Sequence, residues 1–150
     1  MRIYLDCCCY SRPFDDLSNS RVRLEAEAVL AILSRVEANE VELITSDALE
    51  LELSFTPDEQ KRQGAASFLA LSDEKVPLTE PLIAEAESLE QQGFGAFDAL
   101  HLASARTGRA DFLLTVDERL RRRASRVLTA FGPKFISPVE FVLGIEGDES

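Results

Sequence analysis

The chain has 150 residues, 45% of them hydrophobic, with 16 Lys and Arg against 27 Asp and Glu and a net charge of −11. That length and composition suit one compact domain with a real core, and they exclude a disordered chain, a collagen-like fibre and a protein that coats nucleic acid through overall positive charge. The longest strictly apolar run, residues 28–33, is far short of the ~20 residues a membrane-spanning helix needs, and Asp6 interrupts the place where a secretory signal carries its apolar stretch, so a cytoplasmic protein is expected.

In chain order, residues 2–5 form a short β-favouring run that ends at Asp6, and Ser11, Arg12, Pro13, Asp15 and Asp16 predict a loop. Over residues 20–38 the apolar positions Val22, Ala26, Val29, Leu33 and Val36 follow the spacing of one helix face, with Asn39 as the stop. Residues 41–45 read as a second strand, and Ser46 as the cap of a short helix carrying Glu50 and Glu52. Thr56, Pro57, Asp58 and Glu59 start a helix expected to reach residue 71. Residues 75–78 read as an edge strand, because Pro77 lacks the donor that a central ladder needs. Thr79 caps a helix over 80–92 stopped near Gly93, and another spans 96–107 and ends at Gly108. A strand over 111–115, a helix over 117–124 and a late strand over 134–136 follow. Ser137, Pro138 and Glu140 then open a terminal helix, and residues 147–150 are expected as a frayed tail behind a single domain of residues 1–146. Strands separated by helices predict an α/β fold, with helices on both faces of a mostly parallel sheet and sites beyond the carboxyl ends of the strands.

The negative charge is uneven. Residues 1–100 hold 8 basic and 20 acidic side chains, whereas residues 101–135 hold 8 basic and 3 acidic, nearly all of the basic ones arginines between Arg106 and Arg126. Guanidinium forks match phosphate oxygens, so this segment is a phosphate contact, a solvated helix face or an oligomer contact. Cys7, Cys8 and Cys9 are contiguous, which disfavours disulfides among them, and one histidine, His101, leaves no zinc spacing. They read as small packing residues.

Several carboxylates fall where the fold places its chemistry. Asp6 ends the first strand, Asp117 follows the strand over 111–115, Glu50 and Glu52 lie after the second strand, and Asp98 sits in the first turn of an otherwise apolar helix. Singly, each reads as a cap or a surface charge. Together in one cleft they would repel and raise one another's pKa unless a cation lay between them, and a hard divalent ion with oxygen ligands is the usual answer. Two such ions can activate water and stabilise both oxygens of an in-line phosphodiester displacement.

The stretches "IYLDCC" with Asp6, "SDALELEL" with Glu52, "FDALHLASA" with Asp98 and "LLTVDERL" with Thr115 and Asp117 together resemble, in family order, the four acidic motifs of the PIN-domain ribonucleases. The resemblance spans nearly the whole chain. It implies a three-layer α/β/α sandwich and Mg²⁺- or Mn²⁺-dependent cleavage of single-stranded RNA, with Asp6, Glu52, Asp98 and Asp117 as the catalytic, metal-holding residues. Many bacterial members are VapC-type toxins, so a homodimer silenced by an antitoxin protein is also implied. Cys7 departs from the family, in which Thr or Ser often follows the first Asp and supports the site. Glu50 and Glu52 lie about 200° apart on a helix and cannot both face one metal, so Glu52 is taken as the ligand and Glu50 as an outer support.

Thr115 is expected either to support the metal or to pack in its strand. Arg12 reads as a phosphate contact or as a partner of Asp15 or Asp16, and Arg119, Arg121 and Arg122 as RNA contacts. His101 reads as a packed or hydrogen-bonding helix residue rather than a base. The alternative to a nuclease is a module of the same fold that binds RNA or protein without cutting. An aspartyl-phosphate transferase usually has a second Asp where Cys8 stands, and "DCCCYSR" carries no glycine fingerprint for a dinucleotide.

Overall fold

Ile3, Tyr4 and Leu5 are apolar at successive positions, a pattern that a strand tolerates only when both faces are covered. In the computed structural model, which describes the backbone of residues 1–149 and the side chains of residues 1–144, all three are fully buried. They belong to β1 (Arg2–Leu5), the centre of a sheet completed by β2 (Glu42–Ser46), β3 (Glu74–Val76), β4 (Phe112–Leu114) and β5 (Lys134–Ile136). The order is β3-β2-β1-β4-β5 and every pairing is parallel, with Tyr4 opposite both Ile44 and Leu113.

The helices are α1 (Cys7–Ser11), α2 (Ser20–Glu37), α3 (Asp47–Ser54), α4 (Glu59–Leu69), α5 (Glu80–Gln91), α6 (Ala96–Thr107), α7 (Glu118–Val127) and α8 (Pro138–Glu149), with a 3-10 turn at Arg12–Phe14. The chain steps outward from β1 through β2 to β3, then returns past β1 to β4 and β5. Right-handed crossovers in opposite directions put helices on opposite faces, so the sheet is the middle layer of an α/β/α sandwich. α6 packs on β2 and β4 and carries α5 and α3 against it, while α2 packs with α8. The connections diverge between β1 and β4, and a crevice forms there beyond the carboxyl ends of the strands.

The expected elements are present with shifted ends. Side chains of Asn19, Ser46, Asp58, Thr79 and Asp117 accept hydrogen bonds from the first turns of α2, α3, α4, α5 and α7. α4 is therefore capped by Asp58 and starts at Glu59 rather than near Thr56, and it ends at Leu69. Asn39 adopts a left-handed φ of 61° two residues past α2. One element was not expected. Residues 7–11 form α1, with the Asp6 side chain accepting from the Cys9 N–H as its cap. Five residues are too short for a periodic signal, and cysteine is a poor helix former, so the cap decides. The expected tail over 147–150 falls on α8, whose side chains from residue 145 onward, together with Ser150, lie outside the described residues.

Candidate active site

Asp6 closes β1. Its N–H donates to the Leu114 carbonyl at 3.1 Å, which ties it to β4, and its carboxylate turns back to cap α1, accepting from the Cys9 N–H at 3.3 Å and the Cys8 thiol at 2.7 Å. Burial raises its pKa, while the bonds from Cys8 and Thr115 pull it down. Thr115 is itself buried, and its hydroxyl accepts the Asp117 N–H at 3.0 Å. Asp117 caps α7, accepting from the N–H groups of Arg119 and Leu120 at 3.0 and 3.1 Å. β1 and β4 thus place two carboxylates on either side of the crevice.

The other two acids arrive on helices. Asp98, in the first turn of α6, has its pKa raised to about 6, chiefly by burial and then by the charges of Asp6, Asp117 and Glu52, with His101 acting the other way. Glu52 on α3 accepts a 2.6 Å hydrogen bond from Nε2 of His101. His101 is buried, and its Nδ1 lies 2.7 Å from the Tyr4 hydroxyl, which is 2.6 Å from Ser46 Oγ. Ser46 Oγ already accepts from the Leu49 N–H, leaving its own hydrogen for Tyr4. Tyr4 then donates to Nδ1, and the tautomer assigned by this network carries its hydrogen on Nε2, pointed at Glu52. Burial pushes the Tyr4 pKa up, which keeps it a donor. His101 therefore positions Glu52 through a chain of hydrogen bonds anchored in β1 and the end of β2.

Asp6, Glu52, Asp98 and Asp117 line one cleft with Cys7, Cys8, Arg12, His101 and Val116. Its volume of about 310 Å³ is roughly ten times the ~30 Å³ that a water molecule occupies, ample for a hydrated cation. Arg12 reaches this wall but is held by Glu25 and Asp15, each at 3.0 Å, so the cleft's own carboxylates outnumber its cations. Carboxylates in excess, from buried Asp6 through half-buried Glu52 and Asp98 to exposed Asp117, offer hard oxygen donors that fit Mg²⁺ or Mn²⁺. A softer set overlaps them: the ligand atoms of Asp6, Cys8 and Cys9 lie within 4.8 Å of one another. Burial raises the pKa of the Cys9 thiol, and that of Cys8 is raised with Asp6 beside it, so both are protonated at neutral pH. Cys7, half-buried in the cleft, is likewise pushed up by burial and by Glu52 and Asp6.

One expected support and one expected RNA contact lie elsewhere. Glu50 faces away and pairs with Lys75 at 3.2 Å, so it is not an outer support of the cleft. Arg121 turns toward Glu140, 4.0 Å away. Arg119 and Arg122 line a second depression that shares Asp98 and Asp117 with the acidic cleft, and Arg123 and Arg126 join them there. Positions 119, 122, 123 and 126 follow the i, i+3, i+4, i+7 spacing of one helix face, a signal that separates them from Arg121. Arg123 is fixed structurally, donating to the Gln92 carbonyl at 2.8 Å and lying over the Phe94 ring, 5.4 Å from its centre.

No helix among the described residues is long and apolar enough to cross a membrane. The solved structures that resemble the chain include two VapBC assemblies. A chain of VapBC2 from Rickettsia felis, solved bound to a DNA fragment from its promoter, aligns with a TM-score of 0.57 at 15% identity, covering 90% of this chain and 97% of that one. A chain of VapBC-1 from nontypeable Haemophilus influenzae aligns with a TM-score of 0.53 at 17% identity, covering 92% and 98%. At such identities the likeness shows the fold. No curated protein sequence matches significantly. The family model of the PIN domain matches residues 17–125, a span that contains Glu52, Asp98 and Asp117. On that match, and with the parallel five-stranded sheet that accompanies it, the chain belongs to the PIN-domain family.

Proposed function

We propose that the protein is a metal-dependent endoribonuclease that hydrolyses phosphodiester bonds in single-stranded RNA, acting as the toxin of a toxin–antitoxin pair. The observation that carries this reading is the convergence of Asp6, Glu52, Asp98 and Asp117 on one cleft, with Asp98 raised to about 6 by burial and its acidic neighbours. These four residues would hold Mg²⁺ or Mn²⁺. When bound, the metal neutralises their charge, activates water and stabilises the oxygens of the phosphodiester displacement.

The chain's own groups do the rest. His101 fixes the orientation of Glu52, the α7 N-terminus fixes Asp117, and Thr115 braces the Asp117 backbone. Arg119, Arg122 and Arg126 face the phosphates that flank the reacting bond. The kinship with VapBC structures supports an antitoxin partner. Exposed Leu24 and Leu143, on the packed pair α2 and α8, support a homodimer.

Purified protein is expected to cut single-stranded RNA with Mn²⁺ or Mg²⁺ and to lose this on chelation. Asp6→Asn and Asp98→Asn should each reduce the rate at least about a hundredfold while leaving the circular dichroism spectrum unchanged. A wild-type protein that cuts no RNA in either metal, or variants as active as it, would overturn the reading.

A further inference from the structure

The side of the acidic cleft opposite the arginines is aromatic. Phe55 is 68% exposed, the most exposed large apolar side chain among the described residues. It sits at the end of α3, three residues after Glu52, with its N–H bonded to the Glu52 carbonyl at 3.1 Å. Its ring meets the edge of Phe97, with centroids 6.2 Å apart and planes at 63°. Phe97 immediately precedes Asp98 and stacks on His101, with centroids 6.3 Å apart and planes at 24°. Both rings are therefore attached within three residues of an acid of the cleft, and one rests on the histidine that orients Glu52.

These rings line a third depression, which shares Cys7, Cys8 and Glu52 with the acidic cleft, just as the arginine depression shares Asp98 and Asp117 with it. The three are contiguous: cations, then carboxylates, then aromatic rings. At the far wall the amine of Lys61 is ion-paired with Asp15, so the local chemistry is a π-face with little free positive charge. A phosphate has no strong partner there. An unpaired base does, since every base has a π-face to stack on an aromatic ring.

We propose that Phe55, backed by Phe97, is a stacking platform for one unpaired nucleobase next to the scissile phosphate. It thereby selects single-stranded over duplex RNA. The backbone enters along the arginines, passes the carboxylates, and its next base swings out onto Phe55. A base held in a duplex cannot make that turn. The inference rests on the nuclease reading above and adds a base-binding subsite to it.

The chain contains no tryptophan, which makes the test direct. Phe55→Trp introduces a single tryptophan at the platform, which red-edge excitation reads apart from Tyr4 and Tyr10. In an Asp98→Asn background, so that substrate stays intact, a short single-stranded RNA should quench its emission. The same RNA with abasic sites, and a duplex of the same sequence, should not. In otherwise wild-type protein, Phe55→Ala should raise KM for single-stranded RNA about tenfold with kcat nearly unchanged, while Phe55→Trp keeps KM. Equal quenching by the abasic strand, or an unchanged KM in Phe55→Ala, overturns the platform alone. A Phe55→Ala protein that handles RNA normally but no longer binds its antitoxin assigns the surface to protein and also overturns it. Wild-type protein that neither binds nor cuts RNA removes the nuclease reading and the platform with it.

Discussion

Asp98 is where the cleft's electrostatics are most readily measured. Its folded pKa of about 6 lies above the ordinary carboxylate value of about 3.9, so the folded protein binds this proton more tightly than the unfolded chain does. The associated stability is fully present below about pH 4 and is lost as pH rises through about 6 in metal-free protein. A cation competes with the same proton. Mn²⁺ affinity measured by calorimetry should therefore rise between about pH 5 and pH 7.5, and Asp98→Asn should flatten that rise as well as weaken binding. An unchanged pH dependence in the variant would show that another group controls it. Asp6, Glu52, Asp98 and Asp117 were legible in the sequence because each lies in a motif of fixed local order. The Cys8 thiol on Asp6 and the chain from Ser46 through Tyr4 and His101 to Glu52 were not. Those contacts join β1, β2, α3 and α6, and local patterning does not report which side chains meet across elements.

Asp117 serves an element as well as the cleft. Its carboxylate caps α7, so replacing it tests two roles that can be separated by chemistry. Asp117→Ala should lose about 1 kcal/mol of stability with the cap, whereas Asp117→Asn keeps a side-chain acceptor and should melt close to wild type. Both should weaken metal binding, because each removes the carboxylate's charge. Thermal melts of metal-free protein set beside Mn²⁺ titrations separate the effects, and equal metal affinity in all three proteins would remove Asp117 from the site. Caps of this kind made three helix starts readable: Ser46, Thr79 and Ser137 are where the sequence places them. α1 escaped because Asp6 reads equally well as a strand end, and its capping role depends on how the chain turns after β1. Gly93, by contrast, marked a real stop, with a φ of 100° and the Arg123 guanidinium where a side chain would project.

For the whole molecule, parallel strands and enclosing helices were legible from the alternation of elements. The order β3-β2-β1-β4-β5 was not, because strand neighbours are chosen by long-range packing. That order gathers the chemistry at one edge of a chain whose net charge is −11 and whose basic residues concentrate between 106 and 126. RNA should therefore engage through the arginine depression and be sensitive to salt. If Arg119, Arg122 and Arg126 each meet one phosphate, log affinity of Asp98→Asn protein for single-stranded RNA should fall against log salt with a slope of about −2. Removing one of these arginines should make that slope shallower by about 0.7, and slopes indifferent to all three substitutions would mean the backbone runs elsewhere.

The bond from the Asp6 N–H to the Leu114 carbonyl joins the first strand to one made much later in synthesis. Until β4 has left the ribosome, β1 lacks a neighbour on one side, and Asp6 lacks both Thr115 and Asp117. The contacts that assemble the cleft are long-range ones, which form late because the intervening chain must first be ordered. A nascent chain therefore carries its first acid without the means to use it, and completion of the fold acts as a timer on the chemistry.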